Sequence, residues 1–160
     1  MSWTVIDSPV GELRLVENDG AVTAIEFSPF GDNDGRPRGV RDDEQPVLVE
    51  TARQLRAYFD RDLKEFDLPL APVGTEFQQR VWQGLREIGY GETSSYGELA
   101  HRLGKSNAAS RAVGLANGRN PIPIVIPCHR VIGANGTLTG YAGGLDRKQK
   151  LLELEQDALF

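Results

Sequence analysis

The single cysteine of this 160-residue chain, Cys128, is followed at once by His129 and Arg130. An unperturbed thiol ionises near pH 8.5, and a neighbouring imidazole or cation favours the thiolate, which is the nucleophilic form. A lone cysteine is also commonly a small buried hydrophobe. The approach to it argues for chemistry. Asn120-Pro121-Ile122-Pro123-Ile124-Val125-Ile126-Pro127 leads directly into Cys128. Three prolines in that stretch exclude helix and predict a stiff, extended path, the kind of preorganised support a nucleophile needs. Adjacent side chains on an extended chain point to opposite faces. Contact between His129 and the sulfur therefore requires a local turn or a bridging water. One cysteine excludes an internal disulfide and a multi-cysteine zinc site.

The charge distribution points to a partner for this region. The chain carries a net charge of −5. Residues 1–75 hold 8 Lys/Arg against 15 Asp/Glu, while residues 98–150 hold 8 Lys/Arg against Glu98 and Asp146 alone. So basic a segment in an acidic protein fits an anionic partner, nucleic acid being the commonest. A solvated surface whose charges cluster fits it equally. No apolar run is long enough to span a membrane, and no basic start precedes an apolar core at the N-terminus. With one cysteine, the expectation is a cytoplasmic protein.

The elements that must hold Cys128 are legible by pattern. Ser2–Asp7, the Leu13/Leu15 alternation and Val22, Ile25, Phe27 predict strands, with Asn18-Asp19-Gly20 as a hairpin turn. Residues 31–44 contain one aliphatic residue, Val40, and predict a mobile loop. Apolar residues at 48, 52, 55 and 59 predict a helix on the sheet, and Leu68–Pro72 predicts an extended linker. Thr75-Glu76-Phe77-Gln78 is a capping-box pattern opening a second helix, and Ser95-Tyr96-Gly97-Glu98 another. A third helix follows from about Asn107 to Gly118, after the break at Gly104-Lys105-Ser106. Two short helices around a glycine-containing turn form either a helix-turn-helix or an ordinary helical hairpin. Arg102, Lys105, Arg111 and Arg119 in or beside the unit favour DNA.

At this point the chain resembles the O6-alkylguanine-DNA alkyltransferases. The likeness rests on Asn120-Pro121 with Ile126-Pro127-Cys128-His129-Arg130-Val131. It extends over Gly74–Gln78, Tyr90–Thr93, Ser95-Tyr96, Ser110–Gly114 and Gly140-Tyr141-Ala142-Gly143-Gly144-Leu145. The resemblance implies an α/β (α+β) fold in two parts. Residues 1–72 would form a ribonuclease-H-like domain of small sheet plus helix. Residues 73–160 would form a mostly helical catalytic and DNA-binding domain, with its helix-turn-helix at about 95–118. Some relatives hold zinc in the first half partly through cysteines; this chain has none there, and neither metal nor organic cofactor is implied.

The resemblance also implies roles. Cys128 would accept the alkyl group, His129 would act as base through a water, Glu155 on a closing helix 145–157 would orient His129, and Asn120 would fix the turn carrying the cysteine. Tyr96, Arg111, Ala109, Ala112 and Arg130 would contact DNA, Arg111 filling the stack vacated by the extruded nucleotide. Tyr96, the Val131 carbonyl, Tyr141 and the Ala142 amide would bind the base. The implied partner is double-stranded DNA carrying alkylated guanine, with O4-alkylthymine a further target. The implied state is a monomer in solution, and cooperative assembly along DNA stays open. Two rivals remain: a non-catalytic module that binds damaged DNA, against which Cys128 itself speaks, and a multiple-turnover cysteine hydrolase of small substrates.

Overall fold

Two consecutive positive φ values, Asp19 at 51° and Gly20 at 79°, join the strands Leu13–Asn18 and Ala21–Phe27 by a two-residue hairpin turn whose twist matches them. The computed structural model in which this is seen describes residues 1–136, 140–141 and 143–157. The chain divides into two units, Met1–Val73 and Gly74 onward.

In the first unit β1 (Ser2–Ile6), β2 (Leu13–Asn18) and β3 (Ala21–Phe27) form an antiparallel meander, and β4 (Val40–Arg41) pairs parallel to β1, giving the order β3-β2-β1-β4. The register of β2 on β3 shifts between Val16 and Glu17, leaving Thr23 as an extra residue. That bulge lets Val22 and Ile25, an odd distance apart, both turn into the core. Helix α1 (Pro46–Phe59) starts at a Gln45 cap and packs Leu48, Ala52 and Leu55 inward. The aromatic it buries completely is Tyr58, while Phe59 is only half-buried.

Two expectations are corrected here. Leu68–Pro72 is not a free linker, because Leu70 bridges to Val22, with Val22 N–H donating to Pro69 O and Ala71 N–H donating to Val22 O, both at 2.8 Å. The segment 31–44 includes β4 and is tied down by ion pairs. Arg38 reaches Glu26 at 2.7 Å and Asp34 at 2.6 Å, and Arg14 reaches Asp32 at 2.9 Å. Arg14 is itself buried beneath the Phe30 ring, 4.8 Å from its centroid. Charge pairing supplies here what the missing aliphatic residues do not.

In the second unit α2 (Glu76–Leu85) opens with the full reciprocal capping box between Thr75 and Gln78. A short β5 (Ser94–Ser95) leads into α3 (Tyr96–Arg102), where Ser95 caps the Glu98 N–H. A single 3₁₀ turn, Asn107–Ala109, then passes into α4 (Ser110–Gly118). Trp82 on α2 donates its indole N–H to the Ala116 carbonyl at 2.9 Å, fixing α4 against α2. β6 (Val131–Ile132) pairs parallel to β5, and α5 is Leu145–Asp157. Among the described residues no helix is long and apolar enough to cross a membrane.

Candidate active site

The path into Cys128 is coiled rather than extended. Ile126 N–H donates to Ile122 O at 2.9 Å, Val125 N–H to Pro123 O at 2.9 Å, and Cys128 N–H to Ile126 O at 2.8 Å. Ile124 takes φ 74°, in the left-handed region that β-branched residues rarely adopt. The prolines do exclude helix, but they do so by forcing a succession of tight turns. Residues 122 to 131 are all buried. Asn120 clasps this coil, its Nδ2 donating to Ile126 O at 2.7 Å and its Oδ1 accepting from Ile122 N–H at 3.0 Å.

Cys128, His129 and Arg130 form one 3₁₀ turn. This is the local turn that the extended reading required. Burial pushes the Cys128 thiol up to about 11, against the favourable influence of the Asn120 side chain, the Lys148 ammonium and the Tyr141 hydroxyl. His129 is wholly buried and its Nε2 stands 2.7 Å from Glu155 Oε2. Burial also lowers the His129 pKa, so the ring is neutral. Glu155 faces the opposite balance. Burial would raise it, but the hydrogen bonds from His129 and Arg130 bring it to about 2. An ionised carboxylate only accepts, so His129 donates from Nε2. That leaves Nδ1 as the bare lone pair, and it is buried without a hydrogen-bond partner among the described residues. The thiol and a neutral imidazole thus share one turn, and the Glu155 carboxylate fixes the tautomer of the imidazole.

Helix α5 delivers two charged groups from one face. Lys148, Leu151 and Glu155 are all buried, at the spacing of one stripe. Lys148 Nζ donates to Val131 O at 2.6 Å. Nothing in the reading of the sequence singled Lys148 out. Its signal was its place three and seven residues before Leu151 and Glu155, inside what looks like an ordinary charged helix. The Val131 carbonyl, expected to read a base edge, is thus already engaged once.

Arg130 corrects an expectation. It does not offer its charge to DNA, because it is buried and its guanidinium is spent inside the protein. Nε and Nη2 donate to Glu155 at 2.9 and 3.0 Å, and Nη1 donates to Ile88 O at 2.6 Å. Arg111 and Ala112 on α4 are exposed, and Ala109 is half-buried. The half-buried Tyr96 lays its ring against Gly114, 3.6 Å from where a side chain there would begin. Tyr96 also lines a cleft of about 450 Å³ with Ser95, Gly97, Glu98, His101, Asn107, Ser110 and Ala134, which neither Cys128 nor His129 reaches. Tyr141 stands beside the sulfur. Ala142 lies outside the described residues. Among those residues no group of three or more His, Cys, Asp or Glu is placed to hold a metal.

Two family models match the chain. The DNA binding domain of 6-O-methylguanine DNA methyltransferase matches residues 76–157, and its ribonuclease-like domain matches residues 1–72. The chain belongs to this family. A methylated-DNA–protein-cysteine methyltransferase of Methanosarcina acetivorans is 50% identical to it over 155 residues, covering 97% of this methyltransferase chain and 98% of the relative. Another from Mycolicibacterium paratuberculosis is 51% identical over 157 residues, covering 98% and 93%. The crystal structure of Mycobacterium tuberculosis OGT in complex with DNA superposes with a TM-score of 0.90 at 47% identity, covering 99% of the methyltransferase chain and 94% of the OGT chain.

Proposed function

We propose that this methyltransferase chain repairs DNA by moving an alkyl group from O6 of guanine onto Cys128, once per molecule. The observation that carries the assignment of residues is the buried turn in which Cys128 and His129 are adjacent and Glu155 fixes the His129 tautomer. The thiol proton leaves for Nδ1 of neutral His129, through a water. The thiolate then attacks the alkyl carbon. A C–S bond forms, the O6–carbon bond breaks with its electron pair going to the base, and guanine is released after taking up a proton. A thioether has no good leaving group, so the protein is spent.

The target oxygen lies inside a base stack, so the nucleotide is extruded before reaction. The α3–α4 pair supports DNA as the partner. Ala109 and Ala112 permit close approach to the minor groove, Arg111 enters the vacated stack, and Tyr96 assists the rotation and meets the base. Tyr141, Ala142 and the Val131 carbonyl enclose it. O4-alkylthymine is a second substrate. The protein acts as a monomer in the cytoplasm, where an unspent thiol stays reduced.

Excess oligonucleotide carrying O6-methylguanine, with the alkylated protein weighed and mapped by mass spectrometry, tests this. One methyl per chain on Cys128 is expected. No transfer, or many transfers per chain, rejects it. Cys128→Ser abolishes transfer and keeps DNA affinity, since oxygen is nearly isosteric but far less nucleophilic at neutral pH.

A further inference from the structure

Helix α4 presents one open face. Val113, Ala116 and Asn117 are buried on its inner side, while Arg111, Ala112, Leu115 and Arg119 are exposed. Arg111, Leu115 and Arg119 follow one another at four-residue spacing, and Ala112 lies three before Leu115, so these side chains share the open face with Leu115 at its centre. A lone exposed leucine needs no explanation. This one, 62% exposed, stands between two cations on a helix that Trp82 pins through the Ala116 carbonyl at 2.9 Å. Its neighbours are small: Ala108, Ala109 and Ala112 precede it and Gly118 follows. The isobutyl group therefore projects beyond what surrounds it, from a support that is held in place.

We propose that Leu115 acts as a wedge in the minor groove beside the extruded nucleotide and makes repair depend on the sequence that flanks the lesion; this rests on the function proposed above. Leu115 lies one turn, about 6 Å along the helix, from Arg111. When Arg111 enters the vacated stack, Leu115 meets the adjoining stretch of groove. The minor groove of B-form DNA is about 6 Å wide, so a helix bearing a leucine on its leading face must open it. Apolar side chains are suited to that work, since the sugar walls and base edges they press against can be parted at a cost of deformation alone. That cost depends on sequence. A-tracts are stiff and narrow in the minor groove, whereas TA and CA/TG steps yield easily. Leu115 therefore favours lesions in deformable flanks, at positions no side chain reads by hydrogen bonding.

The test measures single-turnover transfer, below saturation, from duplexes that place O6-methylguanine either among TA and CA/TG steps or inside an A-tract. The unaltered protein repairs the deformable duplex about tenfold faster, a ratio within the reach of sequence-dependent deformation energies. Leu115→Ala brings the two rates together. Its melting temperature is unchanged, because the side chain removed is exposed, and so is the salt slope of its DNA binding, because no charge is lost. On single strands of the same two sequences, which have no groove, neither protein shows a preference. Undiminished preference in Leu115→Ala overturns the proposal, as does equal repair of the two duplexes by the unaltered protein or a preference that persists on the single strands. Failure of the unaltered protein to methylate Cys128 from any of these substrates instead rejects the underlying function, so the two failures are distinct.

Discussion

Arg130 and Glu155 meet as a forked pair inside the protein, Nε donating to Oε1 at 2.9 Å and Nη2 to Oε2 at 3.0 Å. Both side chains are buried, and Oε2 also accepts the His129 ring N–H. Arg130 thus holds the carboxylate that holds the His129 ring. Its neighbour in sequence is its partner at one remove in space.

Arg130→Met is therefore expected to act on folding before it acts on DNA. Removing one member of a buried pair leaves the other charge uncompensated, at a cost of about 3–5 kcal/mol. Denaturant unfolding should register that loss. The salt slope of DNA binding by the folded fraction should not change, whereas a slope reduced by about one unit would return Arg130 to the phosphate contacts.

His129→Ala and Glu155→Gln should each slow transfer by roughly 10² or more, the usual scale of general acid–base help. Circular dichroism must first show the fold retained, especially at Glu155. Unchanged rates in both folded variants would mean that the thiolate arises without this base.

The site also sets a pH profile of stability. Glu155 falls from an ordinary 4.5 to about 2 in the folded chain. Its contribution, about 3 kcal/mol, is present above pH 4.5 and lost as the pH falls toward 2. Cys128 rises from 9.0 to about 11. Its contribution, of similar size, is complete below pH 9 and lost as the pH climbs through 11. Denaturant midpoints measured along both limbs check this. Cys128→Ser should flatten the alkaline limb and leave the acid one steep.

Arg111→Ala separates two roles for an exposed cation on α4. A phosphate contact would weaken binding to any DNA alike. A residue that fills the vacated stack matters most where extrusion is hardest, in a paired duplex, and least in a single strand. The repair defect should be large on duplex and shrink on single-stranded oligonucleotide, and equal losses on both would leave only the phosphate role.

Local signals in the sequence carried far. The Asp19-Gly20 turn, the Thr75–Gln78 capping box and the Ser95 cap are where their residues predict, because each depends on neighbours a few positions away. The adjacency of Cys128 and His129 was legible too, and a turn was one of the two ways foreseen to connect them, although the coiled path that leads into it was not. Three prolines say what a backbone avoids and leave open whether it extends or coils. What stayed hidden depends on contacts distant in sequence. Arg130 looks like any cation until Glu155, 25 residues on, is folded over it. Lys148 and Asn117 look like surface residues of polar helices until the α5 and α4 stripes are seen to be buried. The loop at 31–44 is held by Arg38 on Glu26, a pairing across 12 positions that composition does not register.

The burial of Cys128 has a consequence for supply. A protein spent in one transfer, as proposed above, is depleted by every stray electrophile or oxidant that its sulfur meets. Burial pushes the thiol up to about 11, so the thiolate is scarce near neutral pH. Burial thereby shields the sulfur of an idle copy from such reactions. Each copy made is held in reserve for a damaged base.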